Sequence, residues 1–277
     1  MVRFIGILIA IISFVIAQSS TELSWVESLP KPYTLSEEDI SLILPEFHKH
    51  YPSFQDRLKA FAIWRLGTPY EIFKLGEEKE PDNDPIIRLD VSDCTGHVLT
   101  SLAFTHSNNW DEARAKMIDI HYKMDENGKK HPDYLSRWHY TSDRITNNPY
   151  TVNITDQLLP VEKLTPITIT LNIKDDKSEF LPLDWQHELS TNYIASDEIS
   201  SELLNSIPDI CGVAFVRKSY GDKGILIAHE GMIIDNSDIL HASMEYQQTV
   251  RIPFMEYYFR TDGPLFDGIM IYKFVEN

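Results

Sequence analysis

After Pro208 the chain is a succession of short β-rich runs, at 212–217, 224–234, 239–246, 249–252 and 268–274, each set off by turn residues. Most of the intervening connections are only a few residues long, whereas parallel neighbours need a crossover of a dozen or more, so these strands read as an antiparallel sheet. The first half of the chain has a different period. Thr34 and Glu37 have capping-box spacing, and Ile40, Leu42, Ile43 and Leu44 give the following helix an apolar side. A second helix is expected over 53–66 from Phe54, Leu58, Phe61 and Ala62, with Gly67 ending it. Ser92 or Asp93 is placed to cap a third, running through Val98, Leu99, Leu102 and Ala103, and 110–124 is amphipathic. Helices first and strands last is an α+β pattern. The centre, 125–206, mixes loops with one alternating strand at 166–173.

The chain has 277 residues, 43% hydrophobic and 24% charged, enough to bury a large core as one domain. With 25 Lys and Arg against 42 Asp and Glu, its net charge of −17 lacks the basic footprint of a nucleic-acid binder and disfavours an anionic membrane surface. The acidic stretch 76–84 reads as a solvated loop. Residues 1–17 place one basic residue, Arg3, before an uncharged apolar run that is shorter than a membrane span, with Val15 and Ala17 at the −3 and −1 positions of a cleavage site. The expectation is a secretory leader at 1–17, removed to leave a chain with no stable membrane anchor, and a periplasmic or extracellular location.

Cys94 falls in the first turn of the third helix, where the helix dipole and free N–H groups favour a thiolate and could hold an oxyanion. Position alone favours instead a buried structural thiol or half of a disulfide with Cys211. His229 lies in one strand and His241 opens the next. An odd-length connection such as 235–237 would put both on one face, with His229 opposite Ser243, whereas an even one would point them apart. There is no His-Glu-x-x-His run and no zinc-finger pairing of cysteines, so no metal or other cofactor is expected.

Taken in order, Leu66-Gly-Thr-Pro-Tyr70, Asp93-Cys-Thr95, Arg137-Trp-His-Tyr140, Ser142-Asp-Arg144, Asn147, His229-Glu-Gly231 and His241-Ala-Ser243 resemble the NlpC/P60 cysteine-peptidase superfamily. The closer resemblance is to its DUF1460 branch, described as N-acetylmuramoyl-L-alanine amidase-like, over about 66 to the C-terminus. The resemblance implies a papain-like α+β fold in which the nucleophile helix packs on an antiparallel sheet. The expected organisation is one catalytic domain, 18–277, with an N-terminal helical extension at about 34–66 and a central insertion at about 143–206. It further implies Cys94 as nucleophile, His229 as base, His241 as the group orienting that base, and Tyr70 near the reacting centre. Thr95-Gly96-His97 departs from the Thr-Thr-Phe common in the family, and Glu230 stands where the branch has an apolar residue.

For a substrate rich in carboxylates, Arg88 and Arg137 are candidates for fork-like binding. Asp93 is either an amine-binding residue or a helix cap, and His139 and Tyr140 either line the cleft or pack the central segment. The implied activity is hydrolysis of an amide in the peptide part of peptidoglycan, at the lactyl–L-Ala bond or, as elsewhere in the superfamily, at the γ-D-glutamyl–diamino-acid bond. The reading of another class is a non-catalytic cell-wall-binding protein with Cys94 oxidised onto Cys211.

Overall fold

The computed structural model describes residues 24–277, so the expected leader at 1–17 lies outside the described residues. Helix α1 (Glu37–His50) begins two residues later than the sequence spacing suggests. The Thr34 hydroxyl donates to the Lys31 carbonyl within a short 3₁₀ turn, leaving Ser36 and Asp39 to form the capping box. Its Ile40, Leu44 and Phe47 are buried, whereas Leu42 faces outward. Helix α2 (Phe54–Trp64) follows, and Gly67 at φ +87° turns the chain in a region that favours glycine. Asp93 caps α3 (Cys94–Thr105), Asn109 caps α4 (Trp110–His121), and α5 (Thr141–Asn147) precedes the sheet.

The strands are β1 (Thr151–Asn153), β2 (Thr165–Leu171), β3 (His187–Ala195), β4 (Ile210–Val216), β5 (Ile227–Ile234), β6 (Asp238–Ser243), β7 (Gln248–Pro253), β8 (Phe259–Arg260), β9 (Gly263–Pro264) and β10 (Gly268–Phe274). The main sheet runs β2-β3-β10-β4-β5-β6-β7, with β1 also on β10, and its paired strands are antiparallel. β8 and β9 form a separate ribbon. The central segment therefore contributes three strands to the main sheet, one of which, β3, has too many polar residues to stand out in the sequence.

Apolar side chains cover both sheet faces. One core joins α1–α4 to Met232, Ile234, Leu240, Met270 and Tyr272, so the helices at 37–64 share the core of the sheet. The other holds Cys211, Val213, Phe215, Ile233, Ile239, Tyr257 and Tyr258. This partition corrects the disulfide expectation. Both cysteines are free, and Cys211 is sealed in the second core while Cys94 heads a helix packed into the first. The acidic loop is also more firmly held than a solvated connection. Glu77 is buried, bound to Arg137 and Tyr122, and Glu78 pairs with Arg114.

Candidate active site: a helix-borne thiol and a histidine pair

Helix α3 rests on β5 and β6 with Cys94 in its first turn. The cap that starts it is Asp93, whose Oδ1 accepts from the Gly96 N–H (2.7 Å) and whose Oδ2 accepts from the Phe73 N–H (3.0 Å). Both carboxylate oxygens thus hold main chain, and burial raises the carboxyl's pKa. Of the two roles weighed for Asp93, the structure displays the cap.

The β5–β6 ladder runs from Ile234↔Asp238 to Met232↔Leu240 and goes no further toward the site. The connection is three residues, 235–237, the parity that keeps His229 and His241 on one face. His229 Nε2 and His241 Nδ1 are 2.8 Å apart. Gly231 permits this approach, since a β-carbon there would meet the Leu240 carbonyl at 2.9 Å and His241 Cβ at 3.1 Å. Where the strands part, the Glu230 N–H is directed at the Cys94 sulfur. Cys94 therefore lies against the main chain of the residue that follows His229.

The surroundings favour neutral groups at rest. Burial, with the carboxylates of Asp93 and Glu230, pushes the partly exposed Cys94 thiol up to about 12. Burial lowers His229 to about 4 against an opposing pull from Glu230, and burial and His229 lower His241. Aromatic rings enclose the pair: Phe215 stacks on His229 at 5.6 Å, and Tyr257 lies 4.5 Å from His241 and 6.3 Å from His229. Burial, and secondly the charge a thiolate at Cys94 would carry, raises the phenols of Tyr70 and Tyr257, so both are protonated donors at neutral pH. The Tyr70 N–H donates to the Gln247 carbonyl, which ties its loop to the end of β6–β7.

The other candidates are engaged elsewhere. Arg137 donates to Glu77, Asp82 and the Leu75 carbonyl, clasping the acidic loop. Arg88 forms a two-bond fork with Asp90 at 2.8 and 2.7 Å and reaches the Lys74 carbonyl. His139 Nε2 contacts the Tyr134 carbonyl, and buried Tyr140 donates to Asn172 and stacks on Trp185. Both pack the central segment. His97 is fully buried, kept neutral by burial and by Arg65. Among the described residues, no cluster of three metal-ligating side chains occurs. Sequence reasoning did not find Tyr257, which carries no motif, or the partners of Glu230 described below.

The frame is mixed α+β, with Cys94 at the head of a helix packed on the strands that carry the hydrogen-bonded His229 and His241. The chain belongs to the AmiA-like, N-acetylmuramoyl-L-alanine amidase-like family, whose model matches residues 60–264. No curated protein matches it in sequence. Its fold is similar to that of LPG0564 from Legionella pneumophila, a DUF1460 protein (20% identity, 89% of this chain and 97% of that one, TM-score 0.69). It is also similar to an N-acetylmuramoyl-L-alanine amidase from Bacteroides uniformis (21% identity, 80% and 99%, TM-score 0.61). A third similar fold is a putative xylanase from Bacteroides fragilis (21% identity, 77% and 99%, TM-score 0.57).

Proposed function

We propose that this protein is an exported cysteine hydrolase of the NlpC/P60 type, on a papain-like fold, that cleaves an amide bond in the peptide part of peptidoglycan. The observation that carries the reading is the 2.8 Å His229–His241 contact on the strand whose next residue meets the Cys94 sulfur. A cysteine nucleophile needs a base, and the base needs a group that fixes its ring. With Nε2 of His229 occupied by His241, Nδ1 is the nitrogen left for the thiol.

In this mechanism the dyad rests as thiol and neutral imidazole. The Cys94 proton passes to His229 as sulfur attacks the amide carbon, and His241 holds the imidazolium ring. The tetrahedral oxyanion takes hydrogen bonds, with the Tyr70 hydroxyl as one donor. His229 then returns the proton to the departing amine, and water, deprotonated by His229, releases the acyl group from sulfur. The family description favours the lactyl–L-Ala bond as the point of cleavage.

The test is mass analysis of purified muropeptides incubated with the reduced protein beside a Cys94→Ala control. Products that require Cys94 are expected, and their masses identify the bond. Their absence from a folded, reduced sample would reject the proposal.

A further inference from the structure

Glu230 is fully buried, and the proposed chemistry assigns it no part. Four donors from three elements converge on its carboxylate. Oε1 accepts from Thr95 Oγ1 at 2.8 Å and Thr141 Oγ1 at 3.3 Å. Oε2 accepts from Arg144 Nη2 at 2.5 Å and the Tyr272 hydroxyl at 2.8 Å. Thr95 follows the nucleophile on α3, Thr141 and Arg144 lie on α5, and Tyr272 is on β10. Stability alone is a poor reason for such an arrangement, because apolar residues of similar volume often do as well as a buried ion pair. What distinguishes this carboxylate is its address, one residue from His229 and one from the Gly231 that admits β6.

We propose that Glu230 is a positioning residue that locks the nucleophile turn to the base strand: its side chain holds Thr95 while its main-chain N–H meets the Cys94 sulfur. The inference rests on the reading of Cys94 and His229 as nucleophile and base. Arg144 and Tyr272 hold the carboxylate from below, so the tether is rigid at both ends. The result is a fixed distance between α3 and β5 in the stretch of β5 that β6 no longer braces. The carboxylate's charge also acts on both partners, opposing a free thiolate at Cys94 and favouring the imidazolium at His229. The other charged or titratable groups acting on Cys94 are Asp93, Tyr70 and Tyr257.

The experiment uses Thr95→Val, Thr95→Ser and Glu230→Gln in the full reduced chain. Two readouts are followed, muropeptide turnover and the pH midpoint of Cys94 alkylation by iodoacetamide. Thr95→Val, which keeps the charge and cuts the tether, should lower kcat about tenfold with KM nearly unchanged, as expected for lost alignment of reacting groups. Thr95→Ser should restore it. Glu230→Gln should lower the alkylation midpoint by about one pH unit. Thr95→Val should raise it, because Glu230 loses a donor and its less neutralised charge opposes the thiolate more strongly. Wild-type kcat in Thr95→Val, or midpoints that stay fixed or move together, would overturn the proposal. If Glu230→Gln does not fold, the two Thr95 variants decide. If the wild-type protein cleaves no muropeptide, the peptidoglycan reading fails, while the alkylation midpoints still test the tether.

Discussion

His229 and His241 are twelve residues apart in sequence and touch through Nε2 and Nδ1 at 2.8 Å, because a three-residue connection gives the β5–β6 hairpin the register that places both on one face. A connection one residue longer or shorter would send one of them to the opposite side of the sheet.

That contact separates the roles of the two rings. His229→Ala should abolish muropeptide turnover while Cys94 remains open to slow alkylation. His241→Ala should cost less, since water can partly replace a group that only orients. Steady-state kinetics on both variants tests this, and an equal or larger loss in His241→Ala would mean that the assignments are reversed.

The acid limb of kcat/KM should lie far below that of an ordinary histidine. A base acts only when unprotonated, and burial holds His229 down at about 4, so it stays competent as pH falls through 6.5. A pH–rate profile for hydrolysis checks this, and a limb near 6.5 would rule out the buried, neutral base.

Stability should move the other way over the same range. Burial lowers His106, His139 and His229 to about 4, and also holds His97 and His121 well below the ordinary histidine value. The unfolded chain binds these protons first, so stability is complete above about 6.5 and falls as pH drops toward 4. At about 1.4 kcal/mol per pH unit for each group, Tm should fall by on the order of 10 °C or more between pH 7 and pH 5. An unchanged Tm would contradict the burial of these rings.

Thiol reactivity should distinguish the cysteines. Cys94 is partly exposed and Cys211 fully buried, and both are free. One equivalent of alkylating reagent should react with the native protein at Cys94, and the second only after unfolding. Peptide mass mapping reads the outcome, and a native protein with no titratable thiol would restore the disulfide.

Gly212→Ala should be severely destabilising. Its β-carbon would lie 2.1 Å from Tyr272 Cζ, in a ring that cannot retreat without releasing Glu230. The expected cost is at least about 3 kcal/mol by denaturant unfolding. A near-neutral result would show that the Tyr272 ring is free to shift.

The sheet's final strands and the hairpin parity were readable because apolar alternation and loop length are local properties. The helices were legible for the same reason, with a shift at α1, where the Thr34 hydroxyl turned back to Lys31 and left the capping role to Ser36. β3 escaped because residues such as Glu188, Ser190 and Asn192 sit among its apolar positions. The place of Cys94 at a helix start and the shared face of His229 and His241 could be read from motif and parity. The occupations of Arg88 and Arg137 could not, since Asp82 is 55 residues from Arg137 in sequence and only the fold brings them to 2.8 Å. Strand alternation turns Glu230 away from its neighbour His229, but nothing local announced that Thr95, Arg144 and Tyr272 would meet it there.

The parting of β5 from β6 beyond Met232 has one more consequence. The donor it leaves facing Cys94 belongs to the peptide backbone, so it is present whatever side chain occupies position 230. Descent with change can rewrite the charge and tethering at this position while the contact with sulfur is inherited intact. Proline alone, having no N–H, would erase it.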